Sequence, residues 1–351
     1  MQHFSDRRGE SRPRTGKGQD VSRFEAAKAL LKDHHEDIAT ATPETVQAHL
    51  ARTTSKDWHW RGMHPWHEQH GAENVAAAFW APFLTAFTSV QRREDMFFAG
   101  LNQIDDYQST WVVSMGHLMG LFDAPFLGIP PTSKIAMLRY AEFNRVEEGE
   151  ITETAFFVDI LHLMKQAGLN PIPEQTAQHL IQPGPMTHDG LQFKDAPEDE
   201  APKTLALINK MIGDISNHQI YESPEVELAR SWHDDFVWWG PEGIGATYTI
   251  PRYIEQHQQP FRRNVSNRAF NGHLSKLAEG NYGGFFGWPN LTLTMKEGYM
   301  GKSKEGAIAD MRVIDLYRRD GDKLAENWIF IDMLHYLNMQ GIDVLGDLQA
   351  G

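Results

Sequence analysis

The chain has 351 residues, with 33 Lys plus Arg against 47 Asp plus Glu, 17 His, 10 Trp and no Cys, for a net charge of -14. That length allows two ordinary domains, and an acidic chain without a basic domain argues against nucleic acid and anionic membrane surfaces, which are held by clustered Lys and Arg. The absence of cysteine excludes disulfides, thiolate nucleophiles, iron-sulfur clusters and Cys-ligated zinc, so a metal would need His or carboxylate ligands.

Residues 1–20 are polar, carry Arg7, Arg8, Arg12, Arg14 and Lys17, and lack the apolar core of a signal peptide. They read as a disordered basic tail, and a cytoplasmic location is expected. The longest apolar stretch, residues 76–87, contains Pro82 and falls far short of the roughly 20 residues that span a bilayer.

A helix is predicted from near Val21, where Ser22 can cap and Phe24, Ala27, Leu30 and Leu31 share a face. Further helices are expected over residues 43–53 and 72–88. Residues 110–121, 134–146 and 151–163 are rich in β-branched and aromatic side chains and separated by Gly or Pro, which predicts strands. Pro171, Pro173, Pro183, Pro185, Pro197 and Pro202 then mark an interdomain linker, and a helix is predicted over residues 204–221.

After that helix the sequence starts again. Displaced by 173 residues, Arg139 to Leu169 superposes on Arg312 to Ile342 without a gap. Arg145 meets Arg318, Glu153 meets Glu326, Phe157 meets Phe330, Asp159 meets Asp332 and His162 meets His335. The stretch holds eight identities in 31 positions, against roughly two expected by chance. Earlier in each copy, Asp57, Trp60 and Gly62 pair with Asp235, Trp238 and Gly240. The expected organisation is a tail at 1–20, a first domain at 21–170, a linker at 171–203 and a second domain at 204–347. Helices followed by several antiparallel strands in each copy mean an α+β class.

The stretches Gly116-His-Leu-Met-Gly-Leu-Phe, Phe126-Leu-Gly-Ile-Pro-Pro-Thr-Ser-Lys, Phe143-Asn-Arg-Val-Glu-Glu-Gly-Glu-Ile and Asp159-Ile-Leu resemble the SnoaL-like polyketide cyclase family of the nuclear transport factor 2-like superfamily. The second copy resembles it through Asp235-Phe-Val-Trp-Trp-Gly-Pro, Asp315-Leu-Tyr-Arg and Glu326-Asn-Trp-Ile-Phe-Ile-Asp-Met-Leu. The resemblance implies two tandem cone-shaped α+β barrels, each a strongly curved antiparallel sheet wrapped around helices and an apolar pocket. It also implies pairing of the two domains within the chain, with a homodimer as a further possibility. Independently, strand alternation places Phe157 with Asp159 on one face and Phe156 with Val158 on the other, both largely apolar. A pocket on one face and a domain interface on the other would require this.

Asp159 and Asp332 are the sharpest candidates for chemistry. A carboxylate among aromatics is desolvated and prepared to move protons near neutral pH, and the resemblance implies general acid/base work in an intramolecular aldol closure, without cofactor. The alternative is that each Asp caps the helical turn that follows. His162 and His335, three residues on, and Arg145 and Arg318 complete the implied catalytic set, with structural hydrogen bonds and ion pairs as their competing roles.

Trp60, Trp111, His117, Phe157, Trp238, Trp288, Trp328 and Phe330 are the candidate contacts for a flat apolar carbonyl compound. His64, His67 and His70 sit at three-residue spacing, but Pro65 disrupts a helical face and the second copy has no matching His, so they are a weak candidate metal site. The expected function is cofactor-independent cyclisation or isomerisation. A dehydratase or epoxide hydrolase using Asp310 and Arg312, or a noncatalytic binding module, stands as the alternative.

Overall fold

The computed structural model describes residues 23–350, apart from Glu174, Glu297 and Lys302. The basic tail and the Ser22 cap lie outside these residues. The first half opens with α1 (Glu25–Ala39), whose buried face is Ala27, Leu31, His34, His35 and Ile38 at helical spacing, followed by the short α2 (Val46–Leu50). Strands β1 (Thr54–Gly62) and β2 (Glu68–His70) lead into α3 (Gly71–Val75), which runs through a π-turn at Ala76–Trp80 into α4 (Ala81–Ala86). Four long strands follow: β3 (Phe87–Leu101), β4 (Thr110–Phe122), β5 (Ile135–Glu147) and β6 (Glu150–Val158), then α5 (Ile160–Gln166). Strand β3 has no counterpart among the sequence expectations. The strand expected over residues 151–163 ends at Val158, and its remainder is the turn and helix that Asp159 opens.

The second half repeats the order. Helices α6 (Glu200–Ser216) and α7 (Pro224–Ala229) precede β7 (Trp232–Trp239) and β8 (Ala246–Tyr248). Helix α8 (Ile250–Tyr253) then passes through a second π-turn, Ile254–Gln258, into α9 (Gln259–Asn264). Strands β9 (Val265–Phe270) and β10 (Ser275–Glu279) occupy the place of the single β3, and β11 (Tyr282–Met295), β12 (Ile308–Asp320), β13 (Lys323–Ile331), α10 (Met333–Asn338) and α11 (Val344–Ala350) complete the chain.

The two sheets have the same strand order, β2-β1-β6-β5-β4-β3 and β8-β7-β13-β12-β11-β10, with β9 also on β11. Neither is purely antiparallel, because β1 runs parallel to β6 and β7 parallel to β13. Register shifts in β3 and β11 bend the sheets around their helices. The β5–β6 hairpin closes on Glu148 and Gly149, with φ of 50 and 83, the left-handed pair that a two-residue turn of matching twist demands.

Side-chain alternation assigns the two faces of each sheet. Trp60, Phe79, Trp80 and Phe156 fill the concave interior of the first half. Trp111, Val113, Phe143 and Phe157 point the other way, into one apolar cluster with Leu277, Phe286, Ile314, Leu316, Trp328 and Phe330 of the second half. The halves thus pack sheet against sheet. Lys28 of α1 reinforces the junction, its ammonium 2.5 Å from Glu279 on β10 and 3.2 Å from Asp195, all three largely removed from water.

The segment 171–203 is mostly irregular and attached to both halves. Leu191 bridges Phe97, Ala177 donates to Ile244, and the Trp328 indole donates to the Pro183 carbonyl at 3.0 Å.

Candidate functional site

Each half has an open cavity between its concave sheet face and its helices. In the second half the cavity measures about 170 Å³ and is lined by Phe261, Phe285, Leu291, Val313, Ile329 and Ile331 among others. The side chain of Asp315 enters it from β12. Strand alternation explains why: Ile314 and Leu316 are turned to the interdomain cluster, so Asp315 faces inward.

Two hydrogen bonds fix the Asp315 carboxyl. The Tyr317 hydroxyl donates to Oδ2 at 2.6 Å and the Asn327 amide to Oδ1 at 2.5 Å. Burial outweighs both, and the group is pushed up to about 7. The cavity wall carries further polar residues: His257 Nδ1, Tyr299 Oη and Gln258 Oε1 are buried without a hydrogen-bond partner among the described residues. His257 lies flat on Trp238, centroids 4.0 Å apart, and burial, with Arg262 nearby, pushes it down to about 3. It is therefore a neutral imidazole near pH 7. Tyr299 and Tyr253 are shifted above the ordinary phenol range by burial. Arg262 is bound to Glu227 at 2.8 Å, whereas Arg268, on β9, lines the cavity with no ion-pair partner among the described residues.

The 173-residue repeat sets Glu142 of β5 where Asp315 stands in β12. Its environment is the opposite. His35 Nε2 lies 2.5 Å and Arg92 Nη1 2.9 Å from Glu142 Oε1, and the Glu94 carboxylate is 2.8 Å from His35 Nδ1. Burial alone would raise Glu142, but Arg92 and His35 hold it at about 2.

Asp159 and Asp332 lie at the junction of the halves and line neither of these cavities. Each follows the end of its strand and caps the next helix: Asp159 Oδ1 accepts from the His162 amide at 3.0 Å, and Asp332 Oδ1 from the His335 amide at 3.2 Å. Their second oxygens cross to the other half, Asp159 Oδ2 accepting from the Glu242 amide and Asp332 Oδ2 from the His64 amide, both at 2.9 Å. Both imidazoles point elsewhere. His162 Nδ1 is 3.1 Å from the Gln166 amide, and the His335 ring is 5.9 Å from that of His67. Burial lowers both histidines. Burial also raises Asp332 to about 6, against the opposing pull of the His64 amide and Arg312.

Of the other expected residues, Trp238 lies in the second-half interior and Trp60 in the first-half core. Trp111, Phe157, Trp328 and Phe330 belong to the cluster between the halves, with Trp288 packed against it. Their contacts are with the opposite sheet and they line neither cavity: both faces are apolar, and the alternation alone does not say which is concave. His117 is buried on β4, its Nδ1 3.4 Å from Asp95. Arg145 is ion-paired with Glu153 and Glu147, and Arg318 with Glu326. The imidazole of His70 stacks on His59 at 4.6 Å, apart from the His64–His67 pair, and among the described residues no group of three or more His, Asp or Glu is arranged to hold a metal. Asp310 accepts from Thr292, whereas Arg312 reaches Asp332 at 3.4 Å and stacks 3.9 Å over Trp288.

Asp315, Asn327, His257 and Tyr299 are absent from the expected site. The available signal was Glu142 against Asp315, a carboxylate at the same place in both copies at the 173-residue displacement.

No protein-family model matches the chain, and no curated protein matches it. Among solved structures it is similar to a protein assigned as a SnoaL-like polyketide cyclase from Jannaschia sp. CCS1, at 20% identity over 42% of this chain and 96% of that one, with a TM-score of 0.33. It is also similar to a nuclear transport factor 2-like protein from Burkholderia xenovorans LB400, at 12% identity over 40% of this chain and 97% of that one, with a TM-score of 0.32. A third match, IdmH from Streptomyces antibioticus, assigned as a polyketide cyclase, shares 15% identity over 40% of this chain and 97% of its own, with a TM-score of 0.33. The solved structures that this chain matches therefore include SnoaL-like cyclases and nuclear transport factor 2-like proteins, each aligned over about two fifths of its length.

Proposed function

We propose that the second half is a cofactor-independent acid/base catalyst acting on a small apolar carbonyl compound, with Asp315 as the proton carrier. The observation that carries this reading is one carboxyl, held at about 7 in an apolar cavity and oriented by Tyr317 and Asn327. A group titrating near the working pH is poised to take and return a proton.

In the forward step, ionised Asp315 removes a proton alpha to the substrate carbonyl. The C–H electron pair moves into the carbonyl and leaves negative charge on its oxygen. Tyr299, which lines the cavity, is the donor this reading assigns to that oxygen. Protonated Asp315 then returns its proton, at the same carbon or at another one, which gives isomerisation. In a substrate with a second carbonyl, the enolate carbon attacks it instead, and the ring closes with the proton going to the new alkoxide.

Size restricts the substrate. A dry cavity of about 150 Å³ holds one benzene, so 170 Å³ suits a single ring or its open-chain equivalent. Exchange of the alpha protons of cyclohexanone in D₂O, followed by proton NMR, tests the first step without a known substrate. Enzyme-dependent exchange is expected, and Asp315→Asn should lower it by roughly 10²- to 10⁴-fold, the usual worth of positioned acid/base catalysis. Exchange that survives in a folded Asp315→Asn variant would remove Asp315 from the mechanism.

A further inference from the structure

Another cavity opens on the other face of the second sheet, beside the connecting segment. It is a groove of about 600 Å³ between residues 183–188 and strands β7, β8, β12 and β13. Strand alternation forms its floor: Phe236 and Trp238 are turned into the second half, so Asp235, Val237 and Trp239 point outward. Trp239 packs against the edge of the cluster between the halves. Val237 stands opposite Tyr248 on one side and Glu326 on the other, and Glu326 stands opposite Arg318. The apolar walls are open to water, with Met186 72% and Tyr248 57% exposed.

The first half fills the same face with its own side chains. By strand pairing, Arg61 stands where Trp239 stands, His59 where Val237 stands and His70 where Tyr248 stands. Arg61 and Arg145 each bind Glu153 at 2.8 Å, and the rings of His59 and His70 stack at 4.6 Å. The second half keeps the acids, with Glu326 for Glu153, Asp235 for Asp57 and Asp320 for Glu147, and keeps Arg318 for Arg145. It loses the other cation, because an indole replaces Arg61. Glu326 is occupied by Arg318 Nε at 2.5 Å and by the Met186 amide. Asp320 is 65% exposed and only within 3.9 Å of Arg318. Asp235 is exposed, and its side chain has no ion-pair or hydrogen-bond partner among the described residues.

We infer that this groove binds a small amphiphilic amine, its apolar body laid on Trp239, Val237, Tyr248 and Met186 and its ammonium group held at Asp235. The ligand supplies the cation that the second half lacks. Three carboxylates line the groove against one guanidinium, so an anion would meet an excess of like charge. His233 does not alter this, since its Nε2 lies 3.0 Å from the Asp320 backbone carbonyl. The faces of an indole and a phenol attract a cation and give no such preference to a neutral group. The volume lies within the range of small-molecule sites, and the apolar wall selects a ligand with an apolar body over a polar one.

The test is calorimetric titration of the full chain with 4-phenylbutylamine, 4-phenylbutanol and 4-phenylbutyrate, which share a frame and differ in charge. The amine should bind saturably and one to one, roughly tenfold more tightly than the alcohol or the acid. N-acetyl-lysine methylamide, which carries the same ammonium on a polar frame, should bind roughly tenfold more weakly than the amine. Asp235→Asn, an exposed change that leaves the fold intact, should weaken the amine roughly fivefold and leave the alcohol unchanged. Trp239→Arg, which copies the first half, should abolish amine binding in folded protein. The inference fails if the amine shows no saturable binding, if the alcohol, the acid or the lysine derivative binds as tightly, or if amine binding is unchanged in Asp235→Asn or in folded Trp239→Arg. The sheet separates this groove from the cavity of Asp315, so none of these outcomes bears on proton exchange and the two readings stand or fall separately.

Discussion

Asp315 and Glu142 occupy the same place in their sheets and differ by one methylene, yet burial decides the first and ion pairing the second. Among the described residues nothing near Asp315 carries a compensating positive charge at hydrogen-bond distance, so its proton stays on until about pH 7. This has a consequence for stability with a defined sign. In the unfolded chain the group ionises near its ordinary 3.8, so between about pH 4 and pH 7 the native state holds a proton that the unfolded state has released. Stability then falls as pH rises through that window and stops falling above it. Asp315→Asn, which mimics the protonated acid, should be free of this loss. Urea denaturation at pH 5 and pH 8 should show the variant gaining on the parent protein as pH rises, and a constant difference would mean that Asp315 titrates normally. Asp332 predicts a contrasting result. Both of its oxygens accept backbone N–H groups, one in each half, and an amide supplies only one such oxygen. Asp332→Asn should cost about 1–3 kcal/mol in the same assay, and folded protein should keep its exchange activity.

At the scale of elements, the repeated Trp-x-Gly at the end of β1 and β7 shows how far the sequence could be read. Its recurrence was visible as Trp60, Gly62 and Trp238, Gly240, and its physical reason emerges only in three dimensions. A Cβ on Gly62 would stand 2.1 Å from the Trp60 ring, and one on Gly240 2.0 Å from the Trp238 ring. Each glycine thus makes room for an indole folded back across its strand, and in the second half that indole carries His257. Gly240→Ala should displace Trp238, lower stability by about 1–3 kcal/mol through overpacking, and reduce exchange activity along with it, measured by urea denaturation and NMR. Strands β4, β5 and β6 were legible because alternating apolar runs ended in turn residues. Strand β3 was not, since Gln91, Arg92, Arg93, Glu94 and Asp95 form a polar run without apolar alternation; Glu94 instead meets His35 and Arg92 binds Glu142. The Asp159 and Asp332 caps were one of two readings open for those residues, and only the cross-links to Glu242 and His64 show what else they hold.

For the whole molecule, the decisive fact is that each sheet is apolar on both sides. One side closes over helices and a cavity, and the other finds its cover only on the opposite half. Trp328 is wholly buried there, packed with Ile314, Leu316 and Phe330, and its indole nitrogen is satisfied by Pro183 of the connecting segment. Truncating it should therefore cost about 3–5 kcal/mol, as for other large core aromatics, even though it lines neither the first-half nor the second-half cavity. The same geometry predicts how a single half behaves. Residues 204–347 expressed alone would expose the aromatic and aliphatic side chains of β11, β12 and β13 as one continuous patch, and Glu279 would lose Lys28. Exposed patches of that kind drive association, and a face built to meet a pseudo-equivalent face is the natural surface for a symmetric dimer. Light scattering on the isolated segment should report dimers or larger species at micromolar concentration, and Phe330→Glu with Leu316→Glu should shift it toward monomer. A monomeric, stably folded 204–347 segment without those substitutions would show that the halves do not need each other's sheets, and that the cluster between them contributes little to holding either cavity in shape.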